Sequence, residues 1–68
     1  MKTTMKATVI HVRHTGLTVF DHKTRQEVIV HADNTCRFHP GDRICIEYNG
    51  IMTLSLPPQI SADCIVRL

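Results

Sequence analysis

No stretch of this chain repeats its apolar residues at helical spacing for more than two turns, whereas short runs rich in Val, Ile and Thr recur between turn signals. That pattern excludes a helical domain and leaves an all-β one. Sixty-eight residues allow one domain with one small core, and a chain of that size hides only about 60% of its unfolded surface. In so short an all-β chain, closing the sheet on itself is the economical way to remove exposed strand edges. The expected architecture is a small five-stranded antiparallel OB-like barrel, with residues 1–68 as a single domain and an SH3-like barrel as the alternative.

The first strand is expected over Lys6–Arg13, with Ile10 and Val12 on one face and Ala7 and Val9 on the other. Apolar residues on both faces point to a strand inside a closed or strongly curled sheet. His14-Thr15-Gly16 is a turn in which Gly16 is free to take positive φ. Leu17–Asp21 and Glu27–His31 follow as strands, joined through the polar run His22–Gln26. Connections this short make the first three strands an antiparallel meander. Ala32–His39 breaks the rhythm, leaving room for a single helical turn and offering Phe38 as a plug for the end of the barrel. Pro40-Gly41-Asp42 then launches Arg43–Tyr48, in which Ile44, Ile46 and Tyr48 share a face.

Asn49-Gly50 between apolar runs is a strong short hairpin signal. It makes Ile51–Leu56 a returning accessory strand, ended by Pro57-Pro58, which cannot donate to a ladder. Ser61–Leu68 closes the chain as the last strand, with Cys64, Val66 and Leu68 on one face.

The run from residue 40 to residue 62 also resembles a family of uncharacterised small bacterial OB-like domains. The residues that carry the likeness are Gly41 and Asp42 opening a strand, then Tyr48-Asn49-Gly50, then Ser55, Pro57-Pro58-Gln59-Ile60 and Ala62. The resemblance implies the barrel fold and no particular activity. Such domains often belong to exported proteins, and this chain departs from them in having no signal-like apolar run behind Met1–Lys6. The resemblance further implies Tyr48 against the Pro57-Pro58 bend and Gln59 bonded to backbone that the prolines leave unpaired.

Eight Lys and Arg against six Asp and Glu give a net charge of +2, mildly basic and well short of a dedicated phosphate neutraliser. Three cysteines, Cys36, Cys45 and Cys64, form no complete bridge set, so a reducing, cytoplasmic setting is expected, with the thiols acting as small buried hydrophobes. No apolar run approaches the roughly 18 residues that span a bilayer, so no membrane partner is expected.

Four chemistries remain to be weighed. OB barrels present the face of their second and third strands to single-stranded nucleic acid. Arg13, His14, Phe20, Lys23 and Arg25 are the residues placed for it here. Against that reading stand only three aromatic residues, which make a poor stacking platform, and the bland alternative is a solvated basic edge. His31, Cys36 and His39 are a candidate metal set, which would need a fourth ligand such as His11, Cys45 or Cys64, and no Cys-x-x-Cys knuckle supports it. Catalysis lacks both a paired-carboxylate signature and a glycine-rich phosphate loop, so neither enzyme activity nor a cofactor is expected. The accessory strand holds more apolar surface than a lone ribbon can hide. It makes Tyr48, Ile51, Met52, Leu54, Pro57, Pro58 and Gln59 candidates for a protein partner or self-association. The reading is a non-catalytic binding or assembly module acting through that strand, with weak single-stranded nucleic-acid binding as the alternative.

Overall fold

The computed structural model describes residues 2–68. Five strands make up the fold: β1 (Thr3–Arg13), β2 (Gly16–Asp21), β3 (Gln26–His31), β4 (Arg43–Tyr48) and β5 (Gln59–Arg67). A single 3-10 turn at Thr35–Arg37 lies between β3 and β4. The strands close into a barrel in the order β1-β2-β3-β5-β4. The fold is all-β and OB-like. Within the barrel β5 separates β3 from β4.

β1 to β3 form the expected antiparallel meander. The sheet as a whole is mixed, because β5 runs parallel to β3 through Ile29↔Gln59, Val30↔Ile60 and His31↔Ser61. This corrects the all-antiparallel expectation. The chain between β3 and β5 is long enough for the crossover that a parallel pair requires, and β4 lies within it.

β1 serves two neighbours. Thr3–Thr8 pairs with β4, and Ala7–Arg13 pairs with β2. Between Val9 and His11 the register shifts, leaving Ile10 without a partner opposite it. The bulge changes which residues point inward: Met5, Ala7 and Val9 are buried before it, and Val12 packs on the core after it. Ile10 is 42% exposed, so the expected sharing of a face by Ile10 and Val12 does not hold. One extra residue bends the strand around the barrel and gives it apolar side chains of both parities. β5 repeats the device opposite Glu47 and Tyr48, where the partner steps from Cys64 to Ala62. Ile60 and Ile65 are thereby buried, while Cys64, Val66 and Leu68 are exposed. β5 also begins two residues earlier than the sequence pattern suggests, because Gln59 already pairs with β3.

Ile44, Ile46 and Tyr48 fill the core from β4 as expected. Gly16 does not take positive φ; the positive values belong to Gly41 and Gly50, and to Arg25 and Asn34 among other residues. The buried Thr35 fastens the 3-10 turn to the β1–β2 connection, its hydroxyl donating to the carbonyls of Arg13 and His14. Phe38 follows at 2% exposure and belongs to the core cluster. Arg37 stacks on its ring at 4.3 Å and Arg67 lies at 5.6 Å.

The turn into β4 is held by one carboxylate. Asp42 Oδ2 accepts the His39 backbone N–H at 2.9 Å and Arg67 Nε at 3.3 Å. The His39 N–H holds the Asp42 carboxyl below its ordinary value of about 3.8; desolvation opposes this in part, and the charge and hydrogen bond of Arg67 add to the lowering. A carboxyl whose folded pKa is depressed stabilises the fold above its unfolded value and loses that contribution as pH falls through the folded one. Asp42 should therefore titrate below 3.8 in a carbon-detected NMR titration. Asp42→Asn should lessen the loss of stability on acidification; an Asp42 midpoint at the ordinary value would refute the arrangement.

Candidate binding surfaces

Asn49 and Gly50 turn the chain as their type predicts. Asn49 Oδ1 accepts the Ile51 N–H at 3.0 Å, and Gly50 sits at φ 87. No strand returns from the turn. Residues 51–56 form an irregular loop, which corrects the expected accessory strand Ile51–Leu56. The reason is topological: the edge of β4 that a hairpin would pair with is already taken by β5, through Tyr48↔Ala62 and the pairs beyond it.

The loop is nevertheless fastened from within. The Thr53 N–H donates to the Gln59 carbonyl at 3.0 Å, and Thr53 Oγ1 accepts the Gln59 N–H at 2.9 Å. The Thr53 and Ser55 hydroxyls bond at 2.7 Å, and Ser55 donates to the Pro57 carbonyl at 2.9 Å. Pro58 is buried, and its carbonyl accepts the Ile29 N–H at 2.9 Å. The Gln59 side chain bonds His31 Nε2 at 2.7 Å, while its own backbone serves Thr53. Ile51, Leu54 and Leu56 stand out from this frame at 70%, 100% and 94% exposure. Met52 and Tyr48 do not join them. Met52 packs half-buried on the core and Tyr48 is part of it. Pro57 is exposed beside Leu56.

A second surface is the outer face of β2. Phe20 is 36% exposed there, with the His22 ring 6.5 Å away at a tilt of 49°. Its cross-strand neighbours are Thr8 and Glu27, so one carboxylate lies beside the ring. Arg13 and His14 are at one end of β2, and Lys23 and Arg25 are in the turn at the other. A six-residue strand separates the two pairs by about 20 Å. The basic groups flank Phe20 at a distance and are not gathered around it.

His31, Cys36 and His39 are not brought together. His31 is bonded to Gln59, His39 belongs to the turn before β4, and Cys36 lies exposed in the 3-10 turn. Among the described residues no three His, Cys, Asp or Glu side chains are grouped as a metal ion would require. The thiols also depart from expectation: Cys36 and Cys64 are exposed and Cys45 is half-buried, all three free. Cys45 and Cys64 lie on the outward faces of β4 and β5, where the pairing register and not apolar character sets exposure.

The sequence pattern gave no hint of a cleft of about 560 Å³ between the start of β1, the β2–β3 turn and Met52. Its lining comes from separate segments, residues 3–6, residues 21–24, Tyr48 and Met52, which meet only through the pairing of β1 with both β2 and β4. No helix among the described residues is long and apolar enough to cross a membrane. Comparison with protein-family models, with curated proteins and with solved structures finds no match to this chain, so the likeness carried by residues 40–62 rests on those residues alone.

Proposed function

We propose that this chain is a non-catalytic binding module that docks a protein partner through the loop of residues 49–58. The observation that carries the reading is the full exposure of Leu54, with Leu56 nearly so and Ile51 largely exposed, on a loop whose backbone is tied down at Thr53, Ser55 and Gln59. Large apolar groups held in water on a built frame favour association, because little chain entropy is lost on docking. Closure of the barrel makes side-chain insertion the mode of docking, in place of strand addition.

The test is photo-crosslinking in the native host from a benzophenone amino acid placed at Leu54, with the exposed Cys64 of β5 as control. An adduct formed from position 54 and not from position 64 supports the reading. An adduct of twice the chain's mass would identify the partner as a second copy. Absence of any adduct from position 54 would sink it.

A second reading is favoured by the exposed ring of Phe20 between two basic ends: weak binding of single-stranded nucleic acid across β2. Stacking on one aromatic contributes about 1–3 kcal/mol. Anisotropy of a labelled oligo-dT should then show affinity that falls steeply between about 50 and 200 mM salt and drops with Phe20→Ser. Binding indifferent to salt and to Phe20 would exclude it.

A further inference from the structure

We propose that the cleft beside the β2–β3 turn is a binding site for a small organic anion, one with a flat apolar body ending in a carboxylate or phosphate. At about 560 Å³ it falls within the range of ligand-holding clefts. The buried side chains of Met5 and Tyr48 reach it from the core, and Met52 closes one side from the 49–58 loop. Thioethers beside a phenol ring suit a flat apolar body, because methionine adapts its shape and its sulfur contacts ring edges favourably.

The charge of the lining selects the head group. Lys6 and Lys23 both border the cleft, and among the described residues neither makes an ion pair. The one carboxylate in the lining, Asp21, is buried and committed to the turn. Its Oδ1 accepts the Lys23 N–H at 2.9 Å and its Oδ2 accepts the Thr24 hydroxyl at 2.9 Å. Two ammonium groups against one internally bonded carboxylate leave the cleft positive, and both can turn toward an incoming anion without breaking an existing bond.

The walls are also held in register before any ligand arrives. The His22 N–H donates to the Lys6 carbonyl at 3.1 Å, and the His22 ring bonds the Thr8 hydroxyl at 2.7 Å. The strand that carries Lys6 and the turn that carries Lys23 are thereby fixed to each other. This site is distinct from the exposed tips of Leu54 and Leu56, and it does not rest on the docking reading above.

The experiment is an amide-shift titration of the full chain with indole-3-acetate and with phenyl phosphate, using indole-3-acetamide as the neutral comparator. Either anion should give saturable shifts centred on Lys6, His22–Thr24 and Met52, and should bind about tenfold or more tightly than the amide. The tighter of the two names the head group. Replacing both lysines (Lys6→Met with Lys23→Met) should weaken the anion about tenfold or more and leave the amide unchanged. Lys6→Arg with Lys23→Arg should keep the affinity. Both positions are exposed, so all variants should retain the wild-type amide spectrum elsewhere. Shifts that do not saturate at millimolar anion, equal binding of the amide, or shifts centred on another face would each overturn the proposal.

Discussion

Phe38→Ala is expected to cost about 3–5 kcal/mol of unfolding free energy, the range for removing a buried aromatic ring from a core that cannot fully collapse around the gap. Three circumstances put it in the upper part of that range. The ring is 2% exposed and joins the core cluster from outside the strands, just after the 3-10 turn. It carries the guanidinium of Arg37 at 4.3 Å, a contact that adds about 0.5–1 kcal/mol. The same arginines tie this region to β5: Arg37 Nη2 donates to the Ile65 carbonyl at 3.2 Å, and Arg67 donates to the Arg37 carbonyl. Losing the ring removes the surface on which both side chains rest. A domain of this size has only about 3–10 kcal/mol in total, so the variant should be largely unfolded well below the wild-type urea midpoint. Phe38→Leu, which refills most of the space, should lose much less. Equal midpoints for wild type and Phe38→Ala would show that the ring does not seal the barrel.

Gly16→Ala is the second large effect, and its cause is steric. A Cβ at this position would lie 2.6 Å from the carbonyl oxygen of Val30, which is backbone in the neighbouring strand and cannot swing aside. Relief requires β2 to part from β3 where Gly16 faces His31, next to the bond from the Ala32 N–H to the Thr15 carbonyl. Overpacking of this kind costs about 1–3 kcal/mol. Gly41 is the instructive contrast. It sits at φ 94 with nothing within 4 Å, so Gly41→Ala meets a backbone penalty of about 1–2 kcal/mol and no clash. Gly41→Asn should recover part of that loss, because Asn tolerates the left-handed region. Gly16→Asn should be worse than Gly16→Ala. Thermal melts of the four variants test this; rescue of position 16 by Asn would contradict the steric account.

Local chemistry was readable in the sequence, and pairing across distance was not. Val28 and Val30, Ile44 and Ile46, and Leu17 and Val19 alternate inward as a period of two demands. The turns at Gly41 and Gly50 are where residue type put them. The failures share a physical origin. Asn49-Gly50 makes its turn, but whether a strand follows depends on a free edge, and β5 from the far end of the chain occupies that edge. Alternation gives Ile10 and Val12 one face only in an unbroken register, which the bulge after Val9 interrupts. The cleft is a product of β1 serving two neighbours, and no window of sequence contains that fact. Ile51 and Leu54 are exposed as a docking surface requires, whereas Tyr48 follows Ile44 and Ile46 into the core as alternation along β4 demands, and Pro58 and Met52 are drawn into the scaffold by burial that their apolar character alone does not foretell.

Because β5 is a wedge with β3 along one flank and β4 along the other, the cylinder closes only when it is seated. Until residues 59–67 slide into place, the first four strands are an open ribbon with two raw borders, each able to recruit a stranger's strand. The closing pairs are long-range, those of β1 with β4 lying 35 to 45 residues apart and those of β3 with β5 lying 30 apart, so folding should be slow for the size. Damage to Ile60 or Ile65 would then act less like a local defect than like removing the keystone from an arch.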